Sequence, residues 1–218
     1  MTCVWDIAFA DTGHPGRRGP AGAHCTLEEA SGSSRPLPVS RWLHGDHDDD
    51  ALLAAVTAWC TGPAVDLGCG PGRVVDALLR RGVPALGVDG AAAAVRLTRA
   101  RGGVALMRDV FADLPGEGRW SHALLLDGNI GIGGDPRRLV ARAARLLAAG
   151  GSLIVEVDGA ATGWDRRAAR IRTDSVVTEW FPWSRVGLDA LPTLAEWAGR
   201  RVRRSVTVGN RTCVELAP

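Results

Sequence analysis

The residues best suited to chemistry stand in one stretch, Asp66-Leu67-Gly68-Cys69-Gly70-Pro71-Gly72, where an acid is followed by three glycines at alternate positions. Glycine tolerates φ > 0 and lets a ligand approach the main chain, so such a stretch between strand and helix cradles a nucleotide-like ligand. Ala64, Val65 and Leu67 supply an apolar strand before it. Val74, Val75, Leu78 and Leu79 recur at helical spacing after it, and Gly82 stops that helix. Two nucleotide readings fail on single residues. Arg73 stands where the dinucleotide fingerprint has its third small residue, which counts against NAD, and the chain has no lysine for a phosphate-binding P-loop.

Further apolar runs also end near carboxylates. The run 83–89 (VPALGVD) ends in Asp89, 21 residues after Gly68. That is near the roughly 20 expected for a carboxylate accepting from a ribose diol. The run 104–107 leads into Arg108-Asp109-Val110, 123–126 leads into Asp127-Gly128-Asn129, and 152–157 follows Gly150-Gly151. Asp66, Gly68, Gly70 and Gly72 match the pattern D/E-x-G-x-G-x-G. With these acids in this order the chain resembles the class I S-adenosylmethionine-dependent methyltransferases, closely over 51–158 and in outline over 187–218. The resemblance implies S-adenosyl-L-methionine as cofactor. It places Asp89, followed by Gly90, at the ribose, and Asp109, followed by Val110, at the adenine amine. Asp127, Gly128 and Asn129 fall at the methionine part.

The implied function is methyl transfer to a small-molecule acceptor through an O, N or C atom. The leaving group is already activated, so the protein must chiefly align a nucleophile about 3 Å from the methyl in a dry pocket. A base is needed only where the acceptor must lose a proton, and Glu156, Asp158, Asp127 and His14 are the candidates. No convincing magnesium set accompanies Asp127, so no metal is expected. Gly128-Asn129-Ile130 lacks the prolines and aromatic of the amino-methylating DNA enzymes. Two other readings stay open: cyclisation or another group transfer with the same cofactor, and an RNA or protein methyltransferase.

Substrate walls are sought among large rings. Trp164, Trp180, Phe181 and Trp183 crowd the segment 159–187, and Trp5 and Trp42 lie before the first strand. Aromatic walls suit a small, flat or apolar acceptor; the plainer reading is that the rings fill the edge of the core.

The elements that must position these residues follow from the pattern. Five strands alternating with helices predict an α/β, Rossmann-like sheet, mostly parallel, with helices on both faces. Runs 202–208 and 212–216 about Gly209-Asn210 predict an antiparallel C-terminal hairpin, completing seven strands. Helices are expected from Leu52, after Gly72, over 91–101, after Asp135-Pro136, and over 188–198, and a strand over 175–180. His122, at the start of its strand, is read as structural. The domain proper is 51–218, with 159–187 as a substrate-facing insertion. Residues 1–50, broken by glycine and proline, are read as a lid or as disordered in part of 11–35. His44, Asp46, His47, Asp48, Asp49 and Asp50 resemble a metal cluster, but acids before a helix satisfy its free N–H groups and dipole.

At 218 residues, 46% apolar and 23% charged, the chain suits one folded domain. A net charge of +2 offers no uniform field for nucleic acid, although residues 159–218 hold 10 arginines against 6 acids. Five cysteines without a CxxC pair suggest neither a disulfide framework nor a zinc knuckle. The N-terminus lacks a basic start and an apolar core, and no run reaches about 18 apolar residues. A cytoplasmic monomer or homodimer without nucleic-acid or membrane partners is expected.

Overall fold

The structure, a computed structural model, describes residues 3–9 and 25–218. After α1 (Asp6–Phe9) come β1 (Thr26–Glu29), β2 (Ser34–Pro36), α2 (Val39–His44) and α3 (His47–Thr57). Next follow β3 (Ala64–Leu67), α4 (Arg73–Arg80), β4 (Ala85–Asp89), α5 (Ala92–Ala100), β5 (Val104–Met107) and β6 (Trp120–Leu125). The chain continues through α6 (Pro136–Leu146), β7 (Leu147–Asp158), β8 (Trp164–Arg172), β9 (Phe181–Val186) and α7 (Leu191–Trp197). It closes with β10 (Arg201–Val208) and β11 (Arg211–Ala217).

The large sheet has the order β10-β11-β7-β6-β3-β4-β5. Strands β7, β6, β3, β4 and β5 run parallel, and β11 pairs antiparallel with both β7 and β10. The expected seven-stranded Rossmann-like sheet with its C-terminal hairpin is therefore present. Both faces are covered, so β3 (AVDL) and β6 read as continuous buried runs rather than alternating ones. Leu67, Leu124, Leu125 and Ile154 are all but fully buried. Burial of this kind stabilises by roughly 1.5–3 kcal/mol per side chain.

Helix boundaries follow local chemistry. Asp46 caps α3 by accepting from the Asp49 N–H at 2.8 Å, and Asp135 caps α6, with Pro136 at its first position. The acids 46–50 are thus a helix start, but Asp49 is wholly buried, for a reason given below. His122 is structural: its Nδ1 meets Ser152 Oγ at 2.9 Å, its Nε2 accepts from the Thr61 N–H, and burial lowers its pKa.

A second sheet, ordered β2-β1-β8-β9, was not foreseen. Within the supposed N-terminal lid β2 pairs with β1, and β1 pairs with residues 169–172 of the supposed insertion, so the two segments build one sheet. The strand expected over 175–180 is not there. That segment makes a turn, with the Thr173 N–H donating to Val176 O, between β8 and β9. The true strand β8 (WDRRAARIR) hid its period behind arginines whose partners lie on β1: Arg170 and Arg172 bind Glu28, and Arg167 binds Glu29. Much of 11–35, and with it His14, lies outside the described residues.

Candidate functional site

The strand order reverses at β3, which has β4 on one side and β6 on the other. A crevice opens at the carboxyl ends of strands at such a point. Here it is a cavity of about 750 Å³, and Asp66, Gly68, Gly70, Asp89, Gly90, Asp109, Val110, Asp127, Gly128 and Asn129 all line it. Of the residues expected at the cofactor, Gly72 alone is absent from the lining. A Cβ there would lie 2.6 Å from Thr98 Cγ2, so that glycine lets α4 approach α5 rather than contact a ligand.

Gly70 is open to the cavity. Its φ is +52°, and a Cβ would meet no protein atom within 4 Å. Asn129 braces the turn, its Nδ2 donating to Gly68 O at 2.7 Å. Asp89 accepts from the Gly70 and Ala91 N–H groups, each at 2.8 Å, which fixes the carboxylate while leaving one lone pair on each oxygen. Its pKa is raised, burial outweighing those two donors. Asp109 accepts from the Phe111 N–H at 2.9 Å. Cys69 inside the turn is no nucleophile, because burial pushes its thiol well above the ordinary range.

Beside the glycine turn lies a network of arginines that sequence reasoning missed. Arg211, at the start of β11, grips Glu156 through Nε and Nη2 at 2.8 and 2.7 Å, and reaches Asp49 at 2.5 Å and Asp127 at 2.9 Å. Arg73, at the start of α4, binds Asp49 and lies 2.5 Å from Asp127 Oδ2, while Arg41 of α2 holds Asp127 Oδ1 at 3.1 Å. Three cations face three carboxylates. Burial alone would raise the pKa of Asp127, but Arg73, Arg211 and Arg41 hold it below the usual carboxylate range. Asp127 also has φ 55°, a left-handed conformation rare outside glycine, stabilised by its N–H donating to Glu156 Oε2 at 2.7 Å. Next to this balanced set, Asp66 is pushed up to about 8 by burial and by the neighbouring Asp127, with one oxygen buried and unpartnered. Burial thus favours its neutral form.

The carboxylates expected as bases are engaged by arginines. Glu156 accepts from two nitrogens of Arg211 and from a main-chain N–H, so it is a structural counter-ion. Asp158 binds Arg185 Nε at 2.8 Å. Burial opposes its ionisation, yet the Ala160 N–H and Arg185 hold its pKa below normal.

The six rings proposed for substrate divide. Trp5, Trp42 and Trp183 line the cavity, with Trp5 centred 5.3 Å from Trp183 and 6.3 Å from Trp42. Phe181 stands behind Trp5 at 5.7 Å. Trp164 and Trp180 are exposed and outside the cavity: Trp164 meets Trp197 edge-on at 5.3 Å, and Trp180 lies under the Arg170 guanidinium. Neither is among the residues that line the cavity.

The buried arginines were hidden for a common reason. In the sequence Arg73 follows the glycine turn and stands out only as an obstacle to NAD, whereas Arg41, Asp49 and Arg211 look like surface residues of a loop, a helix start and a hairpin turn. Arg211 and Asp49 are 162 positions apart. The one available signal was the crowding of acids at 46–50 beyond what a single helix start needs.

Residues 65–155 match a protein family described as a methyltransferase domain. No curated protein matches the chain in sequence. Solved structures share its fold. A S-adenosylmethionine-dependent methyltransferase from Bacteroides fragilis, in complex with S-adenosyl-L-homocysteine, aligns over 98% of this chain and 93% of its own. It has a TM-score of 0.77 and 17% identity. The Burkholderia thailandensis 1,6-didemethyltoxoflavin-N1-methyltransferase, with its substrate and S-adenosylhomocysteine bound, covers 82% of this chain and 84% of its own (TM-score 0.58, 18% identity). An amino pentose methyltransferase involved in calicheamicin biosynthesis, from Micromonospora echinaspora, covers 83% and 95% (TM-score 0.58, 18% identity).

Proposed function

We propose that this chain, whose residues 65–155 match a methyltransferase domain, transfers a methyl group from S-adenosyl-L-methionine to a small-molecule acceptor. The observation that carries the proposal is the cradle at the sheet's switch point. Gly70 presents bare main chain to the cavity, and Asp89 is fixed beside it by two N–H groups. These residues fit an adenosine-bearing ligand: Asp89 offers lone pairs to a ribose diol, and Asp109 stands at the next strand end for the adenine amine. Asp66, with one buried oxygen that has no hydrogen-bond partner, lines the same cavity and would offer that ligand a further polar contact.

The cofactor supplies a methyl group on a positively charged sulfur, activated for displacement. This chain's residues bind, orient and exclude water. Trp5, Trp42 and Trp183 close one side of the cavity with ring faces that suit a flat acceptor. Helix α1 docks over the cleft, Asp6 accepting from the Ala93 N–H at 2.9 Å, so the N-terminal segment serves as a cover. Asp127, Glu156 and Asp158 are committed to arginines and hold no proton-transfer role. Among the described residues, catalysis then rests on alignment in a dry pocket.

All five cysteines are free, as befits the cytoplasm. Among the described residues no helix is long and apolar enough to cross a membrane. A role in secondary metabolism, resembling that of the calicheamicin enzyme, completes the reading. The test is incubation with methyl-labelled cofactor and a panel of small ring-bearing acceptors. Label recovered on an acceptor supports methyl transfer, and product formed with the label retained on sulfur overturns it in favour of another group transfer.

A further inference from the structure

The small sheet carries charge on a face that is otherwise apolar. Its register aligns Arg35 with Leu27 and Leu27 with Ile171, then Glu29 with Ala169 and Ala169 with Phe181. Further along, Arg167 aligns with Trp183 and Asp165 with Arg185. Cross-strand partners point the same way, so these residues share one face. Leu27, Ala169, Ile171 and Trp183 are buried there against α1 and α5.

Three arginines interrupt that surface, and two are accounted for. Arg167 is bound by Glu29 and Asp165 together. Arg185 binds Asp158 through Nε and Nη2 at 2.8 and 2.7 Å. The guanidinium of Arg35 has no ion pair and no hydrogen bond among the described residues. Arg35 is exposed on the edge strand β2, and it also lines the cavity. Partial burial pulls its pKa below the ordinary arginine range, and the like charge of Arg185 adds to this, while Asp158 and Glu29 act in the other direction. Arg35, Arg185 and Asp158 all line the cavity that Trp5, Trp42 and Trp183 also line. Two cations there meet one anion.

A guanidinium left single beside an aromatic enclosure is suited to one further negative charge. Its planar fork matches a carboxylate with two parallel N–H donors, and indole faces accept a flat ring. We propose that the methyl acceptor is a ring-bearing monoanion: its carboxylate docks on Arg35, beside an Arg185 held by Asp158, and its ring lies among Trp5, Trp42 and Trp183. This rests on the methyltransferase reading, since it takes that end of the cavity as the acceptor's. A neutral acceptor would leave the Arg35 cation unmatched.

The test compares para-hydroxybenzoate with para-hydroxybenzamide, equal in shape and unequal in charge, binding to protein saturated with S-adenosylhomocysteine. Ligand-observed NMR titration is the readout. The acid is expected to bind at least about tenfold more tightly than the amide to the unaltered chain, a factor typical of one charge-assisted pair. Arg35→Ala should erase that preference, and Arg35→Lys should keep part of it. Equal binding of the two probes, or of neither, by the unaltered chain overturns the proposal, as does a preference that survives Arg35→Ala. Weakened S-adenosylhomocysteine binding in Arg35→Ala, at an unchanged melting temperature, also overturns it by placing the guanidinium at the cofactor. If the unaltered chain fails to bind S-adenosylhomocysteine at all, it is the methyltransferase reading that falls.

Discussion

Arg211 Nη2 lies 2.9 Å from Asp127 Oδ1 and 2.7 Å from Glu156 Oε2, so the C-terminal hairpin is ion-paired to the loop that borders the cleft. The side chains of Arg211, Glu156 and Asp49 are 7%, 9% and 0% exposed, which leaves little water to replace a lost partner. Removing one member of a buried network costs about 3–5 kcal/mol because it strands the others. Arg211→Met should therefore lower the unfolding free energy in denaturant titration by about that much. Arg80→Met, which removes an exposed pair with Asp76 one helical turn away, should cost less than about 0.5 kcal/mol. Equal losses in the two variants would contradict the assignment of the network as structural.

Two glycines of the same turn should fail in opposite ways. Gly70→Ala places its methyl in the cavity and meets no protein atom, so stability falls by only the left-handed strain of about 1–2 kcal/mol. Its affinity for S-adenosylhomocysteine should fall at least about tenfold. Gly72→Ala drives a methyl to 2.6 Å from Thr98, and that collision together with the strain should cost about 3 kcal/mol. Calorimetric titration and thermal unfolding of both variants check this contrast.

Asp66 gives stability a definite pH dependence. Its folded pKa is raised to about 8 from an ordinary 3.8, so between those values the unfolded chain releases a proton that the folded chain keeps. Its contribution is greatest below about pH 4, declines as pH rises, and levels off above about pH 8. Asp66→Asn removes that decline, so its melting temperature should gain on the unaltered protein between about pH 5 and 8. Parallel curves for the two proteins would show that Asp66 is ionised when buried.

The large sheet was readable because each of its parts has a local signal. A glycine turn, an acid at a strand end and an Asn-containing hairpin turn are all set by neighbours in sequence, and Asp89, Asp109 and Asp127 fell where their strands end. The small sheet was not readable: β8 is nearly half arginine, and its alternation becomes visible only when Glu28 and Glu29 are set opposite it. The ion network was hidden for the same reason. Asp49 and Arg211 are ordinary surface types until the fold brings them together and buries them. Trp164 and Trp180 show the converse error, since a ring's presence in a segment does not say which face of the strand or turn it occupies.

The central claim is that Asp89 and the bare turn at Gly70 hold the adenosine part of the cofactor. Titrating S-adenosylhomocysteine into the unaltered chain and into Asp89→Ala by calorimetry tests it most directly. The account predicts micromolar-range binding that weakens at least about tenfold in the variant, the loss expected when hydrogen bonds to a charged group are removed. Binding of equal strength in both proteins, or no heat from the unaltered one, would contradict it.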